Sequence, residues 1–177
     1  FLWGAEVSRD SYFFSSDVRI WGWATWRRVW NPFVLSDLHK KWTELEVREL
    51  VQRLPSVFRR QAMLQAAANL ESLDTWDVQF VLHCLGRNYL NATPARNLVQ
   101  NIGFGAQSTH TVFHDFTAEV PRRAMAFPLV HPLRVSEPES LGATEFWGNI
   151  RRWITFPVCH PVDFLLRVSR FLWSKLS

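Results

Sequence analysis

Two cysteines among 177 residues, Cys84 and Cys159, are too few for a disulfide scaffold and point to a reducing compartment. No apolar run approaches the roughly 20 residues that a bilayer-crossing helix needs, so no transmembrane span is expected. The opening Phe1-Leu2-Trp3-Gly4-Ala5-Glu6 has no basic leader and no long apolar stretch, so no secretory signal is expected. A first residue other than Met also leads us to expect further chain upstream. Lysine is scarce, three against 17 arginines, which favours bidentate pairing with carboxylate or phosphate over diffuse solvation. The common site motifs are missing as well: no Gly-x-Gly-x-x-Gly, P-loop, Gly-x-Ser-x-Gly or Cys-x-x-Cys occurs. There is no Asp-x-Asp, the nearest string being Asp74-Thr75-Trp76-Asp77, and we find no internal repeat or low-complexity tract.

What is present is a chain with 47% hydrophobic and 20% charged residues, enough to bury a core and too apolar for disorder. Its length fits one domain or a piece of a larger one. The formal net charge of +4 sits in the tail. Residues 1–147 balance 15 basic against 15 acidic side chains, whereas residues 148–177 set Arg151, Arg152, Arg167, Arg170 and Lys175 against Asp163 alone. A nucleic-acid binder carries its charge as a stripe through the fold, so this distribution argues against that class. A basic tail fits a membrane surface or an acidic partner.

Tryptophan is in excess: ten residues, five of them between Trp3 and Trp30. The indole offers a wide apolar face and one N–H donor, which suits sugar stacking and interfaces, and a Trp-rich core is the other reading.

Local patterns give a coarse layout. Ser11–Ser15 reads as a short strand. A helix begins near Ala24, with Trp23, Trp26, Arg27 and Trp30 at helical spacing, and is expected to end at Asn31-Pro32. One long amphipathic helix is expected from Ser36 to Leu54, stopped by Pro55, and a third helical stretch over 56–70 with Ser56 as its cap. A further helix opens at Asp74–Asp77 and closes at Gly86. Extended segments are expected around Tyr89–Thr93 and Leu98–Ile102, then a glycine-containing loop over 103–111. Four prolines between 121 and 140 predict an extended wrap or a linker. Val162–Leu176 reads as a helix with Asp163, Arg167, Arg170 and Ser174 on one side and Leu165, Val168, Leu172 and Leu176 on the other.

Two groups stand out for chemistry. Asp77, at a helix start, is either a capping residue or a carboxylate kept ionised by the helix dipole and able to act as a base. His110, in a Ser-Thr-His-Thr loop, is a metal ligand, a phosphate donor or a solvated side chain. His110 and His114 have i, i+4 spacing, but their segment is not helical in character and lacks a third zinc ligand nearby.

Several strings occur in a fixed order: Tyr12-Phe13-Phe14-Ser15, then Trp21-Gly22-Trp23-Ala24-Thr25-Trp26-Arg27-Arg28-Val29-Trp30, then Thr75-Trp76-Asp77-Val78-Gln79-Phe80. Asn97 through Gly105 and Ser108-Thr109-His110-Thr111 follow. Over roughly residues 11–132 this resembles the C-terminal half of a bacterial nucleotide-sugar glycosyltransferase of the GT-A fold, family-2-like and sometimes labelled haemolytic protein. The resemblance implies an α/β fold, of which this chain is the helix-rich, acceptor-side portion with a few short strands. Residues 1–135 would form that half-domain, and 136–177 a proline-containing linker and a basic amphipathic helix.

It further implies transfer of a sugar from a nucleotide-diphosphate donor to a glycan or lipid-linked acceptor, with a divalent metal (Mn or Mg) as cofactor whose main acidic ligands precede this chain. Asp77 would be the general base of an inverting reaction. His110 would approach the metal or the diphosphate. Trp21, Gly22 and Trp23 would line the sugar pocket, and Gly103 and Gly105 would belong to a loop that orders over the donor. Arg27 and Arg28 would pair with a phosphate or with an acidic neighbour. The expected location is cytoplasmic and peripheral at the inner membrane, through 148–177. The competing expectation is a non-enzymatic carbohydrate-binding module with a Trp-rich surface.

Overall fold

The computed structural model describes residues 8–70, 75–100 and 120–159, together with 161–162, 164–165 and 168–169. It is helix-rich with one small antiparallel sheet, α/β in the broad sense. Strand β1 (Tyr12–Ser15) pairs with β2 (Asn91–Pro94), Tyr12 opposite Pro94 and Ser15 opposite Asn91. Between them run α1 (Arg27–Pro32), a π-helical turn (Phe33–Asp37), α2 (Glu44–Val51), α3 (Val57–Ala68) and α4 (Asp77–Gly86). Helix α5 (Leu141–Cys159) lies C-terminal to β2 in the chain.

Helix α4 is the hub. Seven of its residues are buried, and it packs on the π-helical turn, α2 and α3. Phe33, Val51, Leu54, Leu82 and Leu85 form a core closed to solvent, each side chain contributing roughly 1.5–3 kcal/mol by leaving water. The left-handed residue that turns the chain out of α4 is Asn88 (φ 56), two positions past Gly86.

The first helix ends at Asn31-Pro32 as expected, and the chain passes directly into a π-helical turn in which the Leu38 N–H reaches Phe33 O at 2.9 Å. Proline supplies no N–H, and the next turn adopts the wider spacing without unwinding. Two local expectations meet corrections. The long helix expected from Ser36 to Leu54 is broken. A capping box starts α2 afresh, with the Glu46 N–H bonding Thr43 Oγ1 at 3.3 Å and the Thr43 N–H bonding Glu46 Oε2 at 2.8 Å. Leu98–Gln100 carries no strand, and the remainder of that expected segment, 101–102, lies outside the described residues.

The proline-rich stretch does wrap over the sheet. Val130 O accepts from the Ser11 N–H at 2.9 Å, and Tyr12 Oη meets His131 Nδ1 at 3.0 Å. Glu137 accepts from Ser15 Oγ at 3.0 Å and from the Ser16 N–H at 2.9 Å. The last helix begins at Leu141, well before the expected Val162, and helical residues continue to Val168 and Ser169. Its inner face holds buried Leu141 and Glu145 against the body.

Candidate functional site

A cleft of about 1240 Å³ opens where the chain leaving β1, the Trp21–Trp26 segment, α3 and the first turn of α4 converge. Its walls include Trp21, Gly22, Trp23 and Asp77, so the structure brings four of the expected site residues to one hollow. Gly103, Gly105 and His110 lie outside the described residues.

Asp77 is half-buried at the first position of α4. Its carboxylate is oriented locally: Thr75 Oγ1 donates to Oδ1, and the Val78 N–H reaches the same oxygen at 2.8 Å. No described residue hydrogen-bonds Oδ2. Thr75 Oγ1 in turn accepts from the Asp77 N–H at 3.4 Å. Trp76 holds the N-cap position without a side-chain cap bond, and Asp77 engages a first-turn N–H through one oxygen only.

Gly22 has φ +60, and a Cβ there would come within 2.3 Å of Val99 Cγ1. Both the left-handed backbone and the close approach of Val99 exclude a side chain. This turn sets the two neighbouring indoles apart. Trp21 is 37% exposed. Trp23 lines the cleft but packs into an aromatic cluster, its ring centroid 5.4 Å from Trp76, 5.2 Å from Phe80 and 5.9 Å from Trp30. Trp23 thus builds the wall from the core side. Trp26 stands exposed on the cleft with the Arg28 guanidinium 5.0 Å over its ring. Arg28 pairs with an aromatic face here, a contact that sequence reasoning did not anticipate.

The cleft also holds an ion network with no counterpart in the sequence reading. Asp17, 1% exposed, accepts from Arg59 Nε at 3.1 and 3.2 Å and from Arg59 Nη2 at 2.9 Å. Arg19 Nη2 lies 3.2 Å from Asp17 Oδ2 and also donates to Glu145 Oε1 on α5. The Asp17 carboxylate beside it raises the Arg59 pKa against the opposing effect of burial, with further help from Glu145 and Asp77. Burial pushes the Glu145 carboxyl up, and Arg19 only partly offsets this. Glu145 Oε2 is buried with no described partner. Partners 42 and 126 residues apart leave no periodic trace in the sequence.

The carboxylates of Asp17 and Glu145 are engaged by guanidinium groups, and no group of three or more His, Cys, Asp or Glu suited to a metal ion occurs among the described residues. The described part of the cleft therefore does not fit a divalent cation by itself. Its chemistry is that of a half-buried carboxylate, a guanidinium pair and aromatic faces.

A second, smaller hollow of about 380 Å³ lies under α2. There buried His83 Nδ1 meets Asp37 Oδ2 at 2.5 Å, with Phe33 and Phe80 against its ring. Burial pushes the Asp37 carboxyl up, but hydrogen bonds from His83 and Ser36 outweigh it and hold the group below its ordinary value.

Comparison with family models, curated proteins and solved structures finds no match to the chain.

Proposed function

We propose that this chain is the acceptor-side half of a GT-A glycosyltransferase, with Asp77 as the base that takes the proton from an acceptor hydroxyl. The observation that carries this reading is the placement of Asp77 Oδ2, without a described donor, on the same cleft as Trp21 and the Gly22 turn. In the step proposed, the carboxylate accepts the hydroxyl proton as the acceptor oxygen bonds the anomeric carbon. The bond to the diphosphate breaks on the opposite side, and the nucleoside diphosphate leaves with that electron pair. Trp21, 37% exposed on the cleft, carries an indole of the kind that stacks on a sugar ring, and the sequence motifs described above support the same family. The donor would be a nucleotide sugar and the acceptor a glycan or lipid-linked hydroxyl.

A carbohydrate-binding module is the second reading, favoured by the exposure of Trp21 and Trp26 at the cleft, 37% and 66%. Sugar transfer by this chain complemented with an upstream donor half, assayed with Mn²⁺ or Mg²⁺, separates the two. Asp77→Asn should leave glycan binding, read by Trp fluorescence, unchanged and lower turnover by roughly 10²–10⁴-fold, the range of a lost general base. Undiminished turnover in that variant would refute the base assignment. Glycan binding without transfer by the complemented wild type would favour the binding module.

A further inference from the structure

Helix α5 is built inside out for a protein in water. Its inward stripe is pinned by Leu141 and by Glu145, which pairs with Arg19. Its outward stripe is apolar: Trp147, Ile154 and Val158 are 67%, 69% and 80% exposed, and Leu165, past the end of α5, is 65% exposed. Steps of seven and four residues place Trp147, Ile154 and Val158 within about 40° of arc on a 3.6-residue helix. Trp153, 70% exposed, widens the stripe. Taking about 200 Å² for each such side chain, these five leave about 700 Å² of apolar surface, above the roughly 300–600 Å² largest patch of a typical monomer.

We propose that this face of α5 seats in the interface of an anionic phospholipid surface. Charge selects that occupant over others. From residue 148 onward the sequence carries five basic side chains and one acidic, the complement of anionic headgroups, and Arg151 is exposed beside the apolar stripe. Tryptophan, two of the five exposed apolar residues, is the side chain most at home at headgroup depth. A second copy of the helix fits less well, because Pro157 lies inside α5 and interrupts the regular ladder that a coiled-coil seam requires. None of the described helices is long and apolar enough to cross a membrane, so α5 lies along the surface. This placement is independent of the transferase reading and does not need a sugar to test.

The full chain should co-sediment with mixed phosphatidylcholine and phosphatidylglycerol vesicles, weakly with phosphatidylcholine alone, and less at high salt. Trp153→Ser with Ile154→Ser and Val158→Ser changes only exposed side chains and should preserve the far-ultraviolet circular dichroism while lowering vesicle partition at least about tenfold. Arg151→Glu with Arg152→Glu should lower partition to the anionic vesicles by roughly tenfold or more while changing partition to phosphatidylcholine little. The proposal is overturned if the wild type ignores anionic vesicles or if the serine variant partitions equally well. It is also overturned if sedimentation velocity shows a dimer that the serine variant dissolves while vesicles capture nothing.

Discussion

Removing the Arg59 guanidinium by Arg59→Met tests whether the cleft floor is held by charge pairing. Asp17 is 1% exposed, and three of its contacts come from Arg59, at 2.9, 3.1 and 3.2 Å. Without them the buried carboxylate keeps only Arg19, at 3.2 Å. Stranding one member of a buried pair costs about 3–5 kcal/mol. The reverse change, Asp17→Asn, should cost less, about 2 kcal/mol, because the Arg59 and Arg19 side chains are 37% and 28% exposed and can draw on water. The double variant Asp17→Asn/Arg59→Met should be more stable than the sum of the two single losses implies, by about 1–3 kcal/mol, since neither charge is then left alone. Urea unfolding followed by Trp fluorescence, with slopes compared across the set, reads all three. Additive losses, or an Arg59→Met variant within about 0.5 kcal/mol of wild type, would show that the contacts are incidental surface pairs.

Three further outcomes follow from single sites. Gly22→Ala should destabilise the fold by about 1–2 kcal/mol from the left-handed backbone alone, and the approach to Val99 should add to it; a thermal melt at or above wild type would remove the steric account. Cys159 is exposed, whereas burial pushes the Cys84 thiol up to about 12, so a thiol reagent at neutral pH should modify Cys159 quickly and Cys84 only on unfolding. The sign of the linkage is fixed by that upward shift. Between the ordinary thiol value of 9.0 and about 12 the folded state holds a proton that the unfolded state has lost, so this group's contribution to stability falls as pH rises through that window. Cys84→Ala should flatten that alkaline limb, and an unchanged limb would place its cause elsewhere.

Where the chain's local chemistry is strong and nothing distant overrides it, the elements are readable from sequence. Ser56 caps α3 with its hydroxyl accepting the Arg59 N–H at 3.4 Å, α4 closes at Gly86, and the Tyr12–Ser15 run forms a strand. The long helix expected over 36–54 fails for a local reason as well: Thr43 and Glu46 announce a new start that the continuous apolar face conceals. Asp77 is legible as a helix-start carboxylate, but its place on the same cleft as Trp21 and Gly22 is not.

Sequence alone determined the capped helices, the short strand, the excess of indoles and the basic end of the chain, because each is set within a turn or two of backbone or by composition. Tertiary structure decided that Tyr12 lies opposite Pro94, that Asp17, Arg19, Arg59 and Glu145 share one buried network, and that the apolar stripe of α5 faces outward. Periodicity reports that a helix has two faces; only the partner against which it packs determines which of them meets water.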